Sequence, residues 1–431
     1  MTHDNRVIPF LGKSMYFNKD RIYVQGAHCA AVYDLENRVV YEINHDGKLI
    51  LDHIFNQDGY SFSDSELEYL QSLLNMGILA SQETEHTQYI THPENLKYVW
   101  LELTDACNLR CVHCYGDFGY CVTKHEDAMK TTEWKKVIES IAKFKNVGIQ
   151  FIGGEPLAYP DFPQLLSYAH ECGISRIDIF TNATLLTDDI IELIRKCNAS
   201  VRISIYGHNS EVHDKITGKK GSFEKLSANL AKLSSFNIKV KLALIVMKEN
   251  EIYFDDIVKY LKKLPAGYNG YDVIRNTAPG KKNEHYIFNP ALLKPRYQSE
   301  ASFFTSFEEF YHNHYYNSCW SGKLSVTANG DVIPCIFARQ SVCGNVKQQS
   351  IDEILKGLNS EWTITKDSVE VCRDCEYRYA CHDCRPTAYG VTGNYFSKHE
   401  RCTYDPYTGE WRSVEDYTRE LNEEIKNETT I

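Results

Sequence analysis

Cys107, Cys111 and Cys114 lie in the run Thr104-Asp-Ala-Cys107-Asn-Leu-Arg-Cys111-Val-His-Cys114-Tyr, a C-x-x-x-C-x-x-C spacing. Cysteine thiolates are the usual ligands of iron–sulfur clusters, and three of them leave one iron of a 4Fe–4S cluster without a protein ligand. An open iron can bind another molecule, which a closed four-cysteine site cannot. A zinc knuckle is the competing reading. It would want a fourth ligand nearby, and His113, caught between two of the cysteines, is badly placed to be one. A second cysteine-rich stretch follows: Cys319, then Gly330-Asp-Val-Ile-Pro-Cys335, then Cys372-Arg-Asp-Cys375, Cys381, Cys384 and Cys402. Spacing alone fits either structural zinc in a C-x-x-C ribbon or iron–sulfur ligation there; the open triplet in the same chain favours iron.

The elements that must position these residues are legible. The apolar run Lys97 to Leu103 reads as a buried strand ending at the triplet. Strand-like runs recur at Tyr98–Leu103, Gly148–Ile152, Arg176–Phe180, Val201–Ile205, Val240–Val246 and Tyr271–Ile274. Helical patterns separate them, at 132–145, 162–172, 188–196, 223–236 and 252–264. Such alternation predicts parallel βαβ units with right-handed crossovers. Six strands rather than eight predict an incomplete (β/α)6 TIM-like barrel, whose chemistry belongs at the C-terminal ends of the strands. The triplet sits there after the first strand. Gly153-Gly154-Glu155-Pro156 ends the second, Thr181-Asn182-Ala-Thr184 the third, and Ser204-Ile-Tyr-Gly207 the fourth. Paired glycines let backbone approach a ligand closely.

Before the barrel, Arg21–Gln25, Ala30–Leu35 and Arg38–Ile43 read as short strands, and Ser63 caps a helix that Gly77 stops. The expected α/β organisation is therefore a winged-helix-like domain at 1–90, a polar linker from Ser81 to Asn95, a partial barrel at 96–285, a cysteine-rich iron–sulfur domain at 310–412 and a charged tail at 413–431, a surface helix or disordered. The net charge of −11 argues against nucleic acid as a partner. No apolar run is long enough to span a membrane, and the first residues lack a signal peptide's apolar core, so the expected compartment is cytoplasmic. In a reducing compartment the 15 cysteines are expected to be metal ligands or spare thiols rather than disulfides. Cys29, Cys121, Cys172 and Cys197 fall among the spare thiols.

The triplet, with an aromatic residue (His113) before its last cysteine, resembles the signature of radical S-adenosylmethionine enzymes. In that family the open iron chelates the cofactor's methionine end, and reductive cleavage gives a 5′-deoxyadenosyl radical. By this resemblance His113, Gly153, Gly154, Glu155, Pro156, Asn182 and Ser204 are the expected cofactor contacts. His213-Asp214 and Gly221-Ser-Phe223 resemble a further family stretch, but Thr217 stands where an arginine is common. Arg275 could substitute for it as a carboxylate binder, or be an ordinary surface arginine. The downstream cysteines resemble the SPASM extension, which holds two auxiliary 4Fe–4S clusters. The resemblance implies one set of Cys372, Cys375, Cys381 and Cys402, and another of Cys319, Cys335 and Cys384. The latter's fourth ligand is Cys343 or is absent; His312 and His314 read as surface residues. Three 4Fe–4S clusters in all are implied.

The whole chain resembles radical S-adenosylmethionine/SPASM maturases of ribosomally made peptides, with an N-terminal element like PqqD that adds a leader peptide as a strand. The implied reaction is hydrogen abstraction from a precursor peptide followed by an oxidative cross-link, thioether or carbon–carbon. The expected partners are that peptide with its leader and an electron donor such as flavodoxin or ferredoxin. Alternatives are a sulfatase-maturing enzyme, a peptide epimerase, or a non-enzymatic iron–sulfur electron carrier. Sulfatase-maturing enzymes tend to carry an aspartate directly after the Pro-Cys step, where this chain has Ile336. No catalytic base is identifiable from the residues alone.

Overall fold

A computed structural model describes residues 8–10, 13–56, 60–82, 84–85, 87–90, 95–116, 118, 127–276, 287, 289–382 and 384–420. Cys121, residues 277–286 and the tail from 421 lie outside the described residues. The chain forms two compact units, one of residues 94–296 with 320–362, the other of residues 1–93 with 297–319 and 363–431.

The first of these is built on a single sheet. Its parallel strands are β1 (Tyr98–Glu102), β2 (Gly148–Ile152), β3 (Arg176–Thr181), β4 (Ser200–Ser204), β5 (Val240–Val246) and β6 (Gly267–Val273), paired in sequence order. Between them lie α1 (Thr131–Ala142), α2 (Phe162–Glu171), α3 (Asp188–Lys196), α4 (Ser210–Thr217), α5 (Ser222–Ser235) and α6 (Phe254–Leu261). This is the partial TIM-like barrel that the alternating pattern predicts. All of β2 is buried, as a strand covered on both faces requires. The helices bury one stripe each: Trp134, Val137, Ile138 and Ile141 from α1, and Phe162, Leu165, Leu166 and Ala169 from α2.

The sheet does not end at β1. A strand β7 (Lys323–Val326) lies parallel to it, Lys323 opposite Tyr98 and Val326 opposite Leu101. β8 (Asp331–Ile333) and β9 (Gly344–Asn345) then continue the sheet antiparallel. Helix α7 (Ile351–Trp362) follows. The Gly330-Asp-Val-Ile-Pro-Cys335 run is thus a hairpin grown onto the strand that carries the cysteine triplet.

The other unit pairs strands Arg21–Gln25, Ala30–Asp34 and Val39–Ile43 antiparallel, with Ala30–Asp34 in the middle. Helices His45–Asn56 and Asp64–Asn75 accompany them. Ser63 caps the second helix in a reciprocal capping box with Glu66. Gly77, at φ +70°, closes it: the N–H of Gly77 donates to the Leu74 carbonyl and that of Ile78 to the Leu73 carbonyl. The middle strand is buried on both faces. Ala30 and Val32 pack with Leu51, Leu70 and Leu73 of the helices. Ala31 and Tyr33 pack with Phe310, Tyr311, Tyr377, Tyr379 and Tyr404, against which Cys375 and Cys402 also lie. The Tyr33 hydroxyl donates to the Glu376 carbonyl at 2.8 Å. Among the described residues no helix is long and apolar enough to cross a membrane.

Candidate functional site

The cysteine loop leaves β1 and is fastened by the turns that follow the next three strands. Gly154 N–H donates to the Thr104 carbonyl at 2.8 Å and Glu155 N–H to the Ala106 carbonyl at 2.9 Å. The glycines are required by this approach. A Cβ on Gly153 would stand 2.4 Å from the Thr104 carbonyl oxygen, and one on Gly154 would stand 2.3 Å from that of Ala106. The close approach is therefore to the backbone of the cysteine loop itself. Pro156 opens a short 3-10 turn behind it.

Glu155 is fully buried. Its carboxylate accepts from Thr181 Oγ1 at 2.6 Å, Asn182 N–H at 2.8 Å and Leu157 N–H at 3.1 Å, tying the end of β2 to the end of β3. Burial pushes its carboxyl up to about 7, against the opposing pull of those three donors. From β3, Asn182 Nδ2 donates to Asn108 Oδ1 at 2.9 Å, and Asn108 Nδ2 donates to Thr184 Oγ1 at 2.7 Å. Asn108, inside the cysteine motif, is thus an anchor that spacing arguments overlook.

The turn after β4 and helix α4 complete the hold. Arg110 N–H donates to the Thr217 carbonyl at 2.9 Å and Val112 N–H to the Ile216 carbonyl at 3.0 Å. Gly218 adopts φ +67°, and a Cβ there would lie 2.6 Å from the Arg110 carbonyl oxygen. The Asp214 carboxylate accepts from Gly221 N–H, Ser222 Oγ and Phe223 N–H, which hold it below the usual carboxylate range although burial opposes them. Burial lowers His213 to about 4, so it is a neutral ring, and its Nδ1 accepts Tyr206 N–H at 3.2 Å. Tyr206 in turn meets the His113 ring edge-on at 4.6 Å. Ser204, at the end of β4, bonds to the Tyr206 hydroxyl. Thr217 is buried, its hydroxyl engaged with Ser222, so that position offers no side chain to a ligand. Arg275 pairs with Asp272 and lies 5.3 Å from the centre of the Phe337 ring.

The three cysteines pack as one group with Leu109 and Phe118. Burial pushes the Cys111 thiol up to about 12, and neighbouring Cys107 and Cys114 add to this. Three thiolates in such a place need a cationic group among them, so the donor set suits an iron–sulfur cluster. Among the described residues no three His, Cys, Asp or Glu side chains close on the position of one metal ion. A cubane's ligands bind separate irons and stand further apart. In the other unit Cys375 has both Cys372 and Cys381 near enough to raise its thiol, and Cys402 shares Cys375's apolar surroundings. Cys319 and Cys384 belong to that unit and Cys335 to the barrel unit. Cys343 donates its thiol to the Ser341 carbonyl at 3.5 Å.

On the β7 side of the cysteine loop lies a cavity of about 400 Å³, with Glu102, Phe118, Asn329, Asp331 and Arg339 in its wall. Arg339 grips Glu102 through both terminal nitrogens. The only available signal for Glu102 is its place as a lone acid ending an apolar run.

Residues 101–261 match the radical SAM superfamily, and residues 319–376 match SPASM, an iron-sulfur cluster-binding domain. The chain is a radical SAM enzyme with a SPASM domain. The enzyme is 29% identical to an AdoMet-dependent heme synthase of Methanosarcina barkeri, over 71% of this chain and 95% of the relative. It is 25% identical to the antilisterial bacteriocin subtilosin biosynthesis protein AlbA of Bacillus subtilis, over 66% of this chain and 65% of that protein. Among solved structures, anSMEcpe with bound AdoMet superposes with a TM-score of 0.56 at 16% identity, covering 77% of the enzyme and 99% of that chain. Streptococcus suis SuiB bound to precursor peptide SuiA superposes at 0.54 and 13% identity, covering 86% and 96%. The cofactors these domains bring to the enzyme are S-adenosylmethionine and iron–sulfur clusters.

Proposed function

We propose that the enzyme matures a ribosomally made precursor peptide by abstracting a hydrogen and installing an oxidative cross-link, thioether or carbon–carbon. The observation that carries this reading is the N-terminal sheet. Radical chemistry has no need of it, yet the sheet is built into the unit that holds Cys372, Cys375, Cys381 and Cys402. The likeness to AlbA, a bacteriocin biosynthesis protein, and to SuiB, solved with its precursor peptide, supports a peptide substrate. We assign three 4Fe–4S clusters: Cys107, Cys111 and Cys114; Cys372, Cys375, Cys381 and Cys402; and Cys319, Cys335 and Cys384, leaving Cys343 aside as a thiol. His113, Gly153, Gly154, Glu155, Pro156, Asn182 and Ser204 shape the S-adenosylmethionine site, chiefly by fixing the cysteine loop. Flavodoxin or ferredoxin supplies electrons. Mass spectrometry of a peptide encoded beside the gene, co-expressed with the enzyme, tests the reaction: the expected product has lost two hydrogens per bond. Unchanged mass with an inverted centre, or an aldehyde at one residue, overturns it. The heme synthase relatives support a second reading, chemistry on a tetrapyrrole. It predicts no change in the peptide and turnover of an iron porphyrin instead.

Both faces of the N-terminal sheet are covered, so its edges, Arg21–Gln25 and Val39–Ile43, are the places for a leader to add as a strand. Truncating this region would remove Tyr33 from the core around Tyr377, so point substitution is the sounder test. Proline at Val40 or at Tyr41, whichever N–H points outward, is expected to weaken binding of a labelled leader peptide at least tenfold. Slow cofactor cleavage without peptide should persist. Unchanged affinity in both variants would exclude this edge.

A further inference from the structure

We propose that Glu102 is the base that takes the proton released when the cross-link forms, and that Arg339 is its positioning residue. This rests on the cross-linking function proposed above. A bond between two substrate atoms that each give up a hydrogen removes two hydrogens in all. One leaves as a hydrogen atom, by radical chemistry that S-adenosylmethionine and its cluster supply. The other leaves as a proton, taken by the Glu102 carboxylate, and as an electron, taken by an oxidised iron–sulfur cluster. A proton acceptor is therefore obligatory, and Ile336, after the Pro-Cys step, cannot serve.

The cavity beside the cysteine loop supplies a candidate. Its wall includes Gly116 and Phe118, just past Cys114, and the hairpin residues Thr327 and Asn329, so a side chain seated in it lies beside the cluster loop. Two of its carboxylates accept hydrogen bonds, Asp331 from Asn329 Nδ2 at 2.8 Å and Asn345 Nδ2 at 2.9 Å, and Glu102 from Arg339 and the Ala328 N–H; what sets Glu102 apart is its burial at the end of the strand that leads into the cysteine loop. Asp105 belongs to the loop that carries Cys107. Glu102 is 2% exposed, at the end of β1. Arg339 Nη1 donates to its Oε1 at 3.1 Å, and Nη2 donates to Oε2. The planar fork fixes the carboxylate's plane. The guanidinium is itself braced over Tyr115 and Phe118, 5.5 and 5.6 Å from the ring centres. Burial outweighs the Arg339 charge and raises the Glu102 carboxyl above its ordinary value, so it accepts a proton more readily than an exposed glutamate. The group is held by two donors and lines a cavity of about 400 Å³ beside the cysteine loop, ample for a large side chain.

The test uses the full enzyme, with its clusters, and the co-expressed peptide made with deuterated residues. In Glu102→Gln the amide keeps the shape and cannot take the proton. Cross-linking is expected to fall about 10²–10⁴-fold, the usual worth of a general base. Deuterium transfer into 5′-deoxyadenosine should continue, with iron content and cluster EPR spectra unchanged. Glu192→Gln, an exposed position on α3 where the carboxylate meets only Arg195, should stay within roughly twofold of the parent enzyme, as expected of a surface substitution away from the site. Arg339→Lys should slow cross-linking more than deuterium transfer. If Glu102→Gln fails to hold iron, Glu102→Asp carries the test and must also lower cross-linking more than deuterium transfer. Parent-level cross-linking in Glu102→Gln, or equal loss of both readouts with iron intact, overturns the proposal. Absence of any cross-link with the parent enzyme would instead refute the proposed function.

Discussion

An enzyme with Cys107, Cys111 and Cys114 all replaced by alanine is expected to lose about four of about twelve irons and all cleavage of S-adenosylmethionine. The three thiols form one group on one loop, packed with Leu109 and Phe118, so their replacement removes that whole donor set at once. Anaerobic reconstitution, iron counting and quantification of 5′-deoxyadenosine measure both effects. The remaining irons should keep a reduced EPR signal, because Cys372, Cys375 and Cys381 lie in the other unit. A parent enzyme with near four irons in total would refute the ligand sets assigned to the SPASM domain. Residual cofactor cleavage in the triple variant would refute the role of the triplet.

Gly154→Ala is expected to match that loss of activity from outside the loop. The added methyl would meet the Ala106 carbonyl oxygen at 2.3 Å and its carbon at 2.7 Å, and backbone cannot turn aside as a side-chain tip can. The relief is to push the loop away, breaking the bonds from Gly154 to Thr104 and from Glu155 to Ala106. Overpacking of this kind costs about 1–3 kcal/mol. Here the cost falls one residue before Cys107, so cluster occupancy and cofactor affinity should collapse while the fold persists. Gly267→Ala is the control, since its nearest neighbour would be 3.4 Å away. Equal iron content and cofactor affinity in the two variants would show that the turn does not govern the loop.

The barrel was legible because its signals are local. Runs such as Gly148–Ile152 and Val240–Val246 are strands as read, and Asp188–Lys196 is a helix as read, since continuous apolar runs and helical stripes report burial directly. The sheet's extension by β7, β8 and β9 was not legible. Lys323–Val326 is short, and nothing in its residues says that its partner is Tyr98–Glu102, more than two hundred positions earlier. Helix α4 is short and polar, and read as a motif rather than an element. The triplet and the Gly-Gly-Glu-Pro turn were visible from spacing; which groups they touch was not. Glu155 and Asn182 bond within the protein to one another and to the loop, a result only the fold can supply.

The strand Ala30–Asp34 has a consequence for how such enzymes diversify. One of its faces belongs to a core with its own helices, and the other to a core with Tyr377 and Tyr404, where Cys375 and Cys402 also lie. A sheet that shares a core in this way cannot be exchanged as a cassette. A chimera joined near residue 93 would cut through the packing of Tyr33 and the hydrogen bonds from Ala27 to Asp374 and from Arg378 to Gln25. Donor and acceptor would have to inherit the partner residues together. The same shared core couples the two properties energetically: whatever binds and stiffens the strand stabilises the cysteine segment, and loading that segment must favour the strand by an equal free energy. Under the leader-binding role proposed above, new leaders would be reached by altering the edges of the sheet, leaving its middle strand unchanged.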